Sequence, residues 1–539
     1  MSAQEQPSKS WHIFARAKED RPTPPQVYNW KMYTCAVFIA MNILAFGYET
    51  SFIGTTQTLP SFIRDFGLDK MFTSEKSNVT GNITSFFSVG AFFGAILFFY
   101  SLEFYGRRMT VLVSDLFFIE GAVISTAASG KIGLMYAGRI ISGFGMGGAV
   151  AVVPTYISEI SPPAIRGRMT GLFETTYQVG SLVGFWINFG ITHHVNTDDS
   201  VAWRIPMGVQ LIPAGIVVIG FFFIRESPTW LLKKGRDDEA VAVLSWLRDL
   251  PADHHYIHED VAFVKAQLTL ERAIGVDDNG RFSIFGYVRS VFREAMAKGV
   301  WNRFLLVFMI CMWQPWCGAV AINYYSTTIF KSIGLDNTTL WTGIYGVIKA
   351  VSAIIFFTFF IDATGRKWPW IVSCLGCCVC QFYLAGYVKI FHPATGVAHS
   401  TSADAGGKAA TAMIMLFGFL WSFGANGLPL IIASEVFPPG LRSVGGNFAS
   451  TIVWLWSFVV TKSLPSMFTT MGYGVYIFTG IILVCAAIYA YFFIPETKGL
   501  RIDQMDQLFG GVGGQTVDYE KQLRVECVET TATDTKEIV

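Results

Sequence analysis

Two short loop signatures occur twice, once in each half of the chain. Leu102 to Arg108 reads LEFYGRR and Phe360 to Lys367 reads FIDATGRK; Ser158 to Gly167 reads SEISPPAIRG and Ser434 to Ser443 reads SEVFPPGLRS. Both pairs keep their order, and both lie at the edges of long apolar runs. A half-chain used twice, with membrane-length segments in each copy, implies two structurally equivalent halves around a site near the bilayer midplane, a plan common among secondary transporters.

Composition agrees with a membrane setting. Of 539 residues, 52% are hydrophobic, 15% aromatic and only 15% charged, whereas soluble domains carry about 25% charged residues. Twelve apolar runs reach the length needed to cross a bilayer, about 20 residues of helix. They lie near 33–60, 81–102, 109–129, 131–158, 169–192 and 202–224, then 303–331, 340–361, 368–390, 409–433, 443–468 and 473–494. The fold class expected is an all-α membrane protein with two six-helix bundles, over 33–224 and 303–494. A cytosolic tail over 1–32, a linker over 225–302 and a tail over 495–539 complete the chain. Within the linker, LLKKGRDDEAVAVLSWLRDL keeps an amphipathic register and predicts short surface helices.

Charge placement sets the orientation. Arg107, Arg108, Arg166, Arg168, Lys233, Lys234, Arg236, Arg366, Lys367 and Arg442 fall on one side of an even count of segments, which makes that side and both termini cytosolic. The polar start lacks the apolar core of a cleaved signal peptide, so the first membrane segment is expected to direct insertion. Three N-x-S/T sequons, at Asn78, Asn82 and Asn337, are expected in outer loops as glycosylation acceptors. Nine cysteines show neither disulfide nor zinc spacing and read as small packing residues. A net charge of +1 gives no nucleic-acid character. No phosphate loop and no catalytic constellation occurs, so neither an enzyme nor a bound cofactor or metal is expected.

A set of short motifs is similar to the sugar porters of the major facilitator superfamily, over about Tyr33 to Lys498. They are GYE at Gly47 to Glu49, the paired GRR and GRK loops, GRIISGFGMG after Tyr136, PTYISEI with Glu159, WR at Trp203 and Arg204, ESP at Glu226 to Pro228, and PETKG at Pro495 to Gly499. Within that family, GYETSFIGTTQTLPSF and YQVGSLVGFWINFG most resemble the fungal branch of quinate permeases and hexose transporters.

The duplicated loops suggest a cytosolic gate. Arg107 and Arg108 are expected to face Glu103, Glu159 and Glu226, and Arg366 and Lys367 to face Asp362, Glu435 and Glu496, in ion pairs running from one bundle to the other. Retention of topology by positive charge alone needs no acidic partner, so duplicated carboxylates favour the gate.

Ionisable groups inside a membrane are functional candidates by default. Glu49 lies within the first segment and Arg139 within the fourth. A carboxylate whose pKa depends on a nearby arginine can load a proton when the pair breaks and release it when the pair forms. The resemblance implies the same role, since proton-coupled members carry aspartate at the first-segment position; here it is glutamate, with a longer reach. A permanent structural ion pair is the alternative.

Substrate contacts are expected from the first, fifth, seventh, tenth and eleventh segments. Glu174, Gln178 and Ser181 share one helical face. WQPWCGAVAINYY supplies Gln314, Asn323, Tyr324 and Tyr325, with Pro315 and Gly318 expected to break the helix. Phe46, Trp316, Trp454 and Trp456 offer aromatic faces, although packing is the commoner role of a single ring. Against the sugar-porter pattern, Pro315 and Val320 replace a glutamine and an asparagine, Leu430 replaces a tryptophan, Val453 replaces an amide and Glu174 replaces a glutamine. Asn426 stands where it can supply part of what is lost. Lys349, inside the eighth segment, is either structural or a counter-charge for an acidic substrate.

The expected activity is import of a sugar or sugar-like polyhydroxylated molecule by proton symport. The partners are that molecule, protons and the lipid bilayer, in a monomeric carrier of the plasma membrane. A quinate or other polyhydroxy-acid permease, an exporter of a specialised metabolite and a non-transporting nutrient sensor are the alternatives.

Overall fold

The computed structural model describes residues 23–162, 165–272, 299–333, 337–391, 405–437, 441–496 and a few isolated positions between them. Twelve long helices stand out among these residues. In the first half they are α1 (Trp30–Thr56), α2 (Thr73–Tyr105), α3 (Arg107–Thr126), α4 (Ile132–Ile160), α5 (Arg166–His194) and α6 (Val201–Gly220). In the second they are α7 (Val300–Lys331), α8 (Thr338–Phe360), α9 (Lys367–Ile390), α10 (Ala405–Val436), α11 (Arg442–Met471) and α12 (Gly474–Phe493). Eleven are long and apolar enough to cross a membrane. The remaining one, α5, buries Glu174, Gln178 and Asn188 along its length and carries Arg166, His193 and His194 at its ends. Short helices at Pro228–Lys233, Asp237–Arg248 and His255–Arg272 follow α6; Arg248 fastens them to the first half by donating to the Ile160 carbonyl at 2.7 Å.

In hydrocarbon every backbone polar group must be satisfied within the protein, so irregular turns are confined to places that line a cavity. The helices follow that rule. Helix α7 breaks between Trp316 and Ala319, where Gly318 takes φ +94°, a value that favours glycine. Helix α8 ends in a π turn at Phe356–Phe360, and α10 carries another at Trp421–Ala425, immediately before Asn426. These π turns meet each other near the centre of the second half.

Small residues let the helices approach closely. Gly90 and Gly94 of α2 face Gly143 and Gly147 of α4, and a Cβ on any of the four would overlap the backbone opposite. Among the described residues, contacts between the two halves include three near the ends opposite the duplicated loops, and α5 also touches the π turn of α8. Lys462 of α11 donates to the Asn82 side chain of α2 and reaches the Asn78 carbonyl at 3.5 Å. Thr192 and Thr339 share a hydrogen bond of 3.2 Å between α5 and α8. Gly54 of α1 presses on the Tyr324 backbone of α7. These contacts tie the two halves together at the ends opposite the duplicated loops.

The sequon expectation needs correction. Asn78 and Asn82 lie on α2, which starts at Thr73 rather than near 81. The polar residues before the apolar run continue the helix, and Glu75 caps it by accepting from the Phe72 amide at 3.3 Å. Asn82 is half-buried and also donates to the Tyr136 hydroxyl at 3.3 Å. Asn337 is exposed, and its side chain caps the start of α8.

The α2–α4 interface yields a direct test. Gly147→Val should force α2 and α4 apart and lower the stability of the detergent-solubilised protein by about 1 to 3 kcal/mol. Thermal unfolding followed by size-exclusion fluorescence reads this; an unchanged melting temperature would show that the contact has slack.

Candidate functional site

At the edge that carries the duplicated loops, each half is tied by one arginine and two glutamates. Arg107 places Nη2 2.7 Å and Nε 2.8 Å from the two oxygens of Glu159, and Nη1 donates to the Leu102 carbonyl at 3.1 Å. Glu226 takes a different kind of partner: its Oε1 accepts from the backbone amides of Arg107 at 2.8 Å and Arg108 at 3.2 Å. These are free donors at the N-terminus of α3, where a carboxylate is favoured by both hydrogen bonding and the helix dipole. Burial pushes the Glu226 carboxyl above its ordinary value, while the amides of Ser227, Arg108 and Arg107 pull it back. Gly106, at φ +95°, makes room for that carboxylate.

The second half repeats the device. Arg366 holds Glu435 through Nη2 at 2.7 Å, and Glu496 accepts from the amides of Arg366 at 2.9 Å and Lys367 at 3.3 Å. Gly365, at φ +82°, faces the Glu496 carboxylate. Glu103 pairs with Lys233 at 2.5 Å, while the Arg108 side chain donates to the Phe221 carbonyl at 2.9 Å. The Asp362 side chain lies outside the described residues. The expectation of half-to-half pairs is corrected: these interactions of Arg107 and Arg366 stay within one bundle each. Geometry is the reason, because the loop after α2, the end of α4 and the segment after α6 converge on one corner of the same bundle.

Near the midplane, a cavity of about 120 Å³ lies between the halves. Of the residues singled out above, Phe46, Glu174, Gln314, Asn323, Tyr324, Asn426 and Trp454 line it. Leu430, Val320, Val453 and Pro315 line it as well, so the apolar replacements do stand on its wall. Glu174 Oε1 accepts from Gln178 Nε2 at 2.6 Å and from the Asn426 side chain across the interface between halves. Asn426 is itself held on both sides: Trp421 Nε1 donates to its Oδ1 at 3.1 Å and Gln314 Nε2 to its backbone carbonyl at 2.6 Å. Phe46 packs between Tyr177 and Trp454, with ring centroids 4.8 and 5.2 Å away.

Some expected ligands stand elsewhere. Gln178 is buried behind Glu174 and orients it. Ser181 shares the face of Glu174 but sits where α1 covers α5, and a Cβ on Gly47 would come within 3.0 Å of its backbone nitrogen. Trp316 and Trp456 pack beside each other, with ring centroids 6.4 Å apart, away from the cavity. The Tyr325 hydroxyl donates to the Thr461 carbonyl at 3.1 Å. Lys349 is buried, donates to Asn323 Oδ1 at 2.9 Å and stands 5.5 Å from the centre of the Tyr177 ring.

Thr50, Tyr177, Trp421, Ser450 and Ser457 line the cavity without having been singled out. Tyr177 follows Glu174 by three residues, a spacing that marked it as sharing that face. Trp421 carried no such signal, because a π turn rotates it out of α-helical register.

Glu49 and Arg139 form an ion pair that excludes solvent, at 0% and 1% side-chain exposure. Arg139 also donates through Nε to the Ile83 carbonyl at 2.9 Å and lies over the Phe87 ring. The pair does not line the cavity, but Phe46 and Thr50 on the same helix do.

A profile of the family described as Sugar (and other) transporter matches residues 35–509. The chain is 40% identical over 499 residues to the quinate permease of Neurospora africana, covering 91% of each. It superposes on a partially occluded inward open conformation of the xylose transporter XylE from E. coli with a TM-score of 0.70 at 21% identity, covering 88% of this chain and 100% of that one. A structure of the major facilitator superfamily proton:xylose symporter XylE bound to 6-bromo-6-deoxy-D-glucose gives 0.71 at 22% identity, covering 89% and 99%. These structural likenesses show the fold.

The two arginine clamps generate a test by additivity. Arg107→Ala leaves the half-buried Glu159 with the Ser227 hydroxyl but without its charged partner, and should destabilise the protein by about 1.5 to 3 kcal/mol. Because the clamps stay within separate halves, Arg107→Ala and Arg366→Ala should add when combined, as independent sites do. A double mutant clearly less destabilised than the sum, in chemical unfolding, would mean that the clamps are coupled.

Proposed function

The chain belongs to the sugar (and other) transporter family, with the major facilitator fold in the membrane, and we propose that it imports a sugar or sugar-like polyhydroxylated molecule with protons. The observation that carries this reading is the cavity between the halves. Its wall combines aromatic faces at Phe46, Trp421 and Trp454 with the amides of Gln314, Asn323 and Asn426 and the carboxylate of Glu174. Rings that stack and fixed polar groups that hydrogen-bond suit a small ligand with an apolar face and several hydroxyls.

Alternating access follows from where the halves touch. Opening outward requires the Lys462–Asn82 and Thr192–Thr339 contacts to part. Glu49 carries the coupled proton in this scheme. Its exchange with the solvent requires the Arg139 pair to open, and Phe46 and Thr50 place that event one turn from the ligand. Import through the plasma membrane, by a monomer with both termini cytosolic, completes the proposal.

A second reading, import of quinate or another polyhydroxy acid, is supported by Lys349 beside the cavity-lining Asn323. The relative from Neurospora africana bears that name as well. Uptake of radiolabelled hexoses, pentoses, polyols and quinate in a transporter-deficient host separates the two; accumulation of none of them would overturn both.

Two substitutions test the site in the same host. Glu49→Gln keeps the size and much of the hydrogen bonding but removes titration, so it should abolish uphill, pH-driven accumulation and retain counterflow in vesicles. Full accumulation by this variant would assign the proton elsewhere. Gln314→Ala should raise the apparent substrate constant about fivefold, the loss of roughly one hydrogen bond of 1 kcal/mol. Trp456→Ala, off the cavity wall, should leave it within about twofold; the reverse order would move the site.

A further inference from the structure

Apart from the Glu49–Arg139 pair, two ionisable side chains from opposite halves meet at the cavity. Glu174 of α5 is on the cavity wall, and Lys349 of α8 is buried beside it. They share no direct hydrogen bond. The Lys349 Nζ has one hydrogen bond among the described residues, to the neutral amide of Asn323, which itself lines the cavity. Glu174 uses Oε1 for Gln178 and Asn426, whereas its Oε2 has no donor among the described residues. The site thus keeps unused ammonium donors on one side and an unused carboxylate oxygen on the other.

From this arrangement we infer that Glu174 is a second proton-binding group, loaded together with a carboxylate substrate that Lys349 draws into the cavity. The inference rests on the reading of the cavity as the substrate site. With the cavity empty, Lys349 and Glu174 balance each other. A substrate carboxylate adds one negative charge, and an unbalanced charge inside the membrane is costly. A solvated proton from the bulk, bound at Glu174 Oε2, restores neutrality: one anion and one proton enter, and no covalent bond to carbon changes. The protonated carboxyl then becomes a donor that a substrate oxygen can accept. A neutral sugar brings no charge and requires no such proton.

The other charged and titratable groups around Glu174 leave it this role. On its own helix Tyr177 shares a hydrogen bond with Thr50. From α1 and α4, Glu49 and Arg139 are closed on each other. Helix α6 contributes Arg204, which is exposed at the outer end, and the π turn Phe356–Phe360 of α8 adds no ionisable side chain. From α7, Tyr324 shares the cavity wall, and Lys349 is the cation within electrostatic reach.

The test uses the purified full-length protein in lipid nanodiscs, with quinate and xylose as probes. Binding is read by calorimetry in buffers of different ionisation enthalpy, which counts protons taken up. Wild type should take up close to one proton per quinate and none per xylose. Its quinate constant should weaken by up to about tenfold per pH unit where Glu174 is ionised in the empty site. Glu174→Gln should bind quinate without proton uptake and with a flat pH profile. Lys349→Gln should weaken quinate at least tenfold and xylose less than threefold, the retained xylose binding also showing an intact site. Quinate binding without proton uptake in wild type, proton uptake persisting in Glu174→Gln, or equal weakening of both ligands by Lys349→Gln would overturn the inference alone. A wild-type protein that binds neither ligand would overturn the reading of the cavity and the inference with it.

Discussion

A carboxylate seated on the first amides of a helix holds together the looped corner of each half of this protein. Helix α3 starts at Arg107 and α9 at Lys367, both immediately beyond a tight turn, with amides that no preceding turn can satisfy. Glu226 and Glu496 reach those amides from segments far along the chain, and the arginines then close on Glu159 and Glu435. One contact satisfies the backbone, fixes the direction in which the next helix leaves the loop and joins three parts of a bundle. Each half can consequently move as a body while its own looped corner stays intact.

The binding cavity belongs to neither body alone. Glu174 and Tyr177 come from the first half, whereas Asn426, Gln314 and Asn323 come from the second, and the Glu174–Asn426 hydrogen bond spans the gap. Any rocking of the halves strains this bond directly. The irregular turns that build the second half of the wall, at Gly318 and Trp421–Ala425, lie where the backbone borders a cavity and has partners other than lipid.

Much of this was legible in residue order. The break at Pro315 and Gly318 followed from residue type, and the polar face of α5 followed from helical spacing. The role of Glu226 and Glu496 did not. Their motifs suggested partners for side-chain charges, but their oxygens bond backbone amides of another segment, and nothing local distinguishes the two uses. Ser181 was misplaced because spacing gives the face of a helix but not the height at which a neighbour covers it. Asn78 and Asn82 were assigned to a loop because apolar length marks the hydrocarbon span, whereas a helix can project beyond that span on polar residues.

The position of Asn82 has a consequence for biosynthesis. Its triplet, Asn-Ile-Thr, is an acceptor for carbohydrate by sequence, yet in the closed outer face its amide lies in the seam with Lys462. A sugar chain attached there would act as a wedge and hold the carrier open to the outside. Modification and closure of this seam exclude each other at one residue.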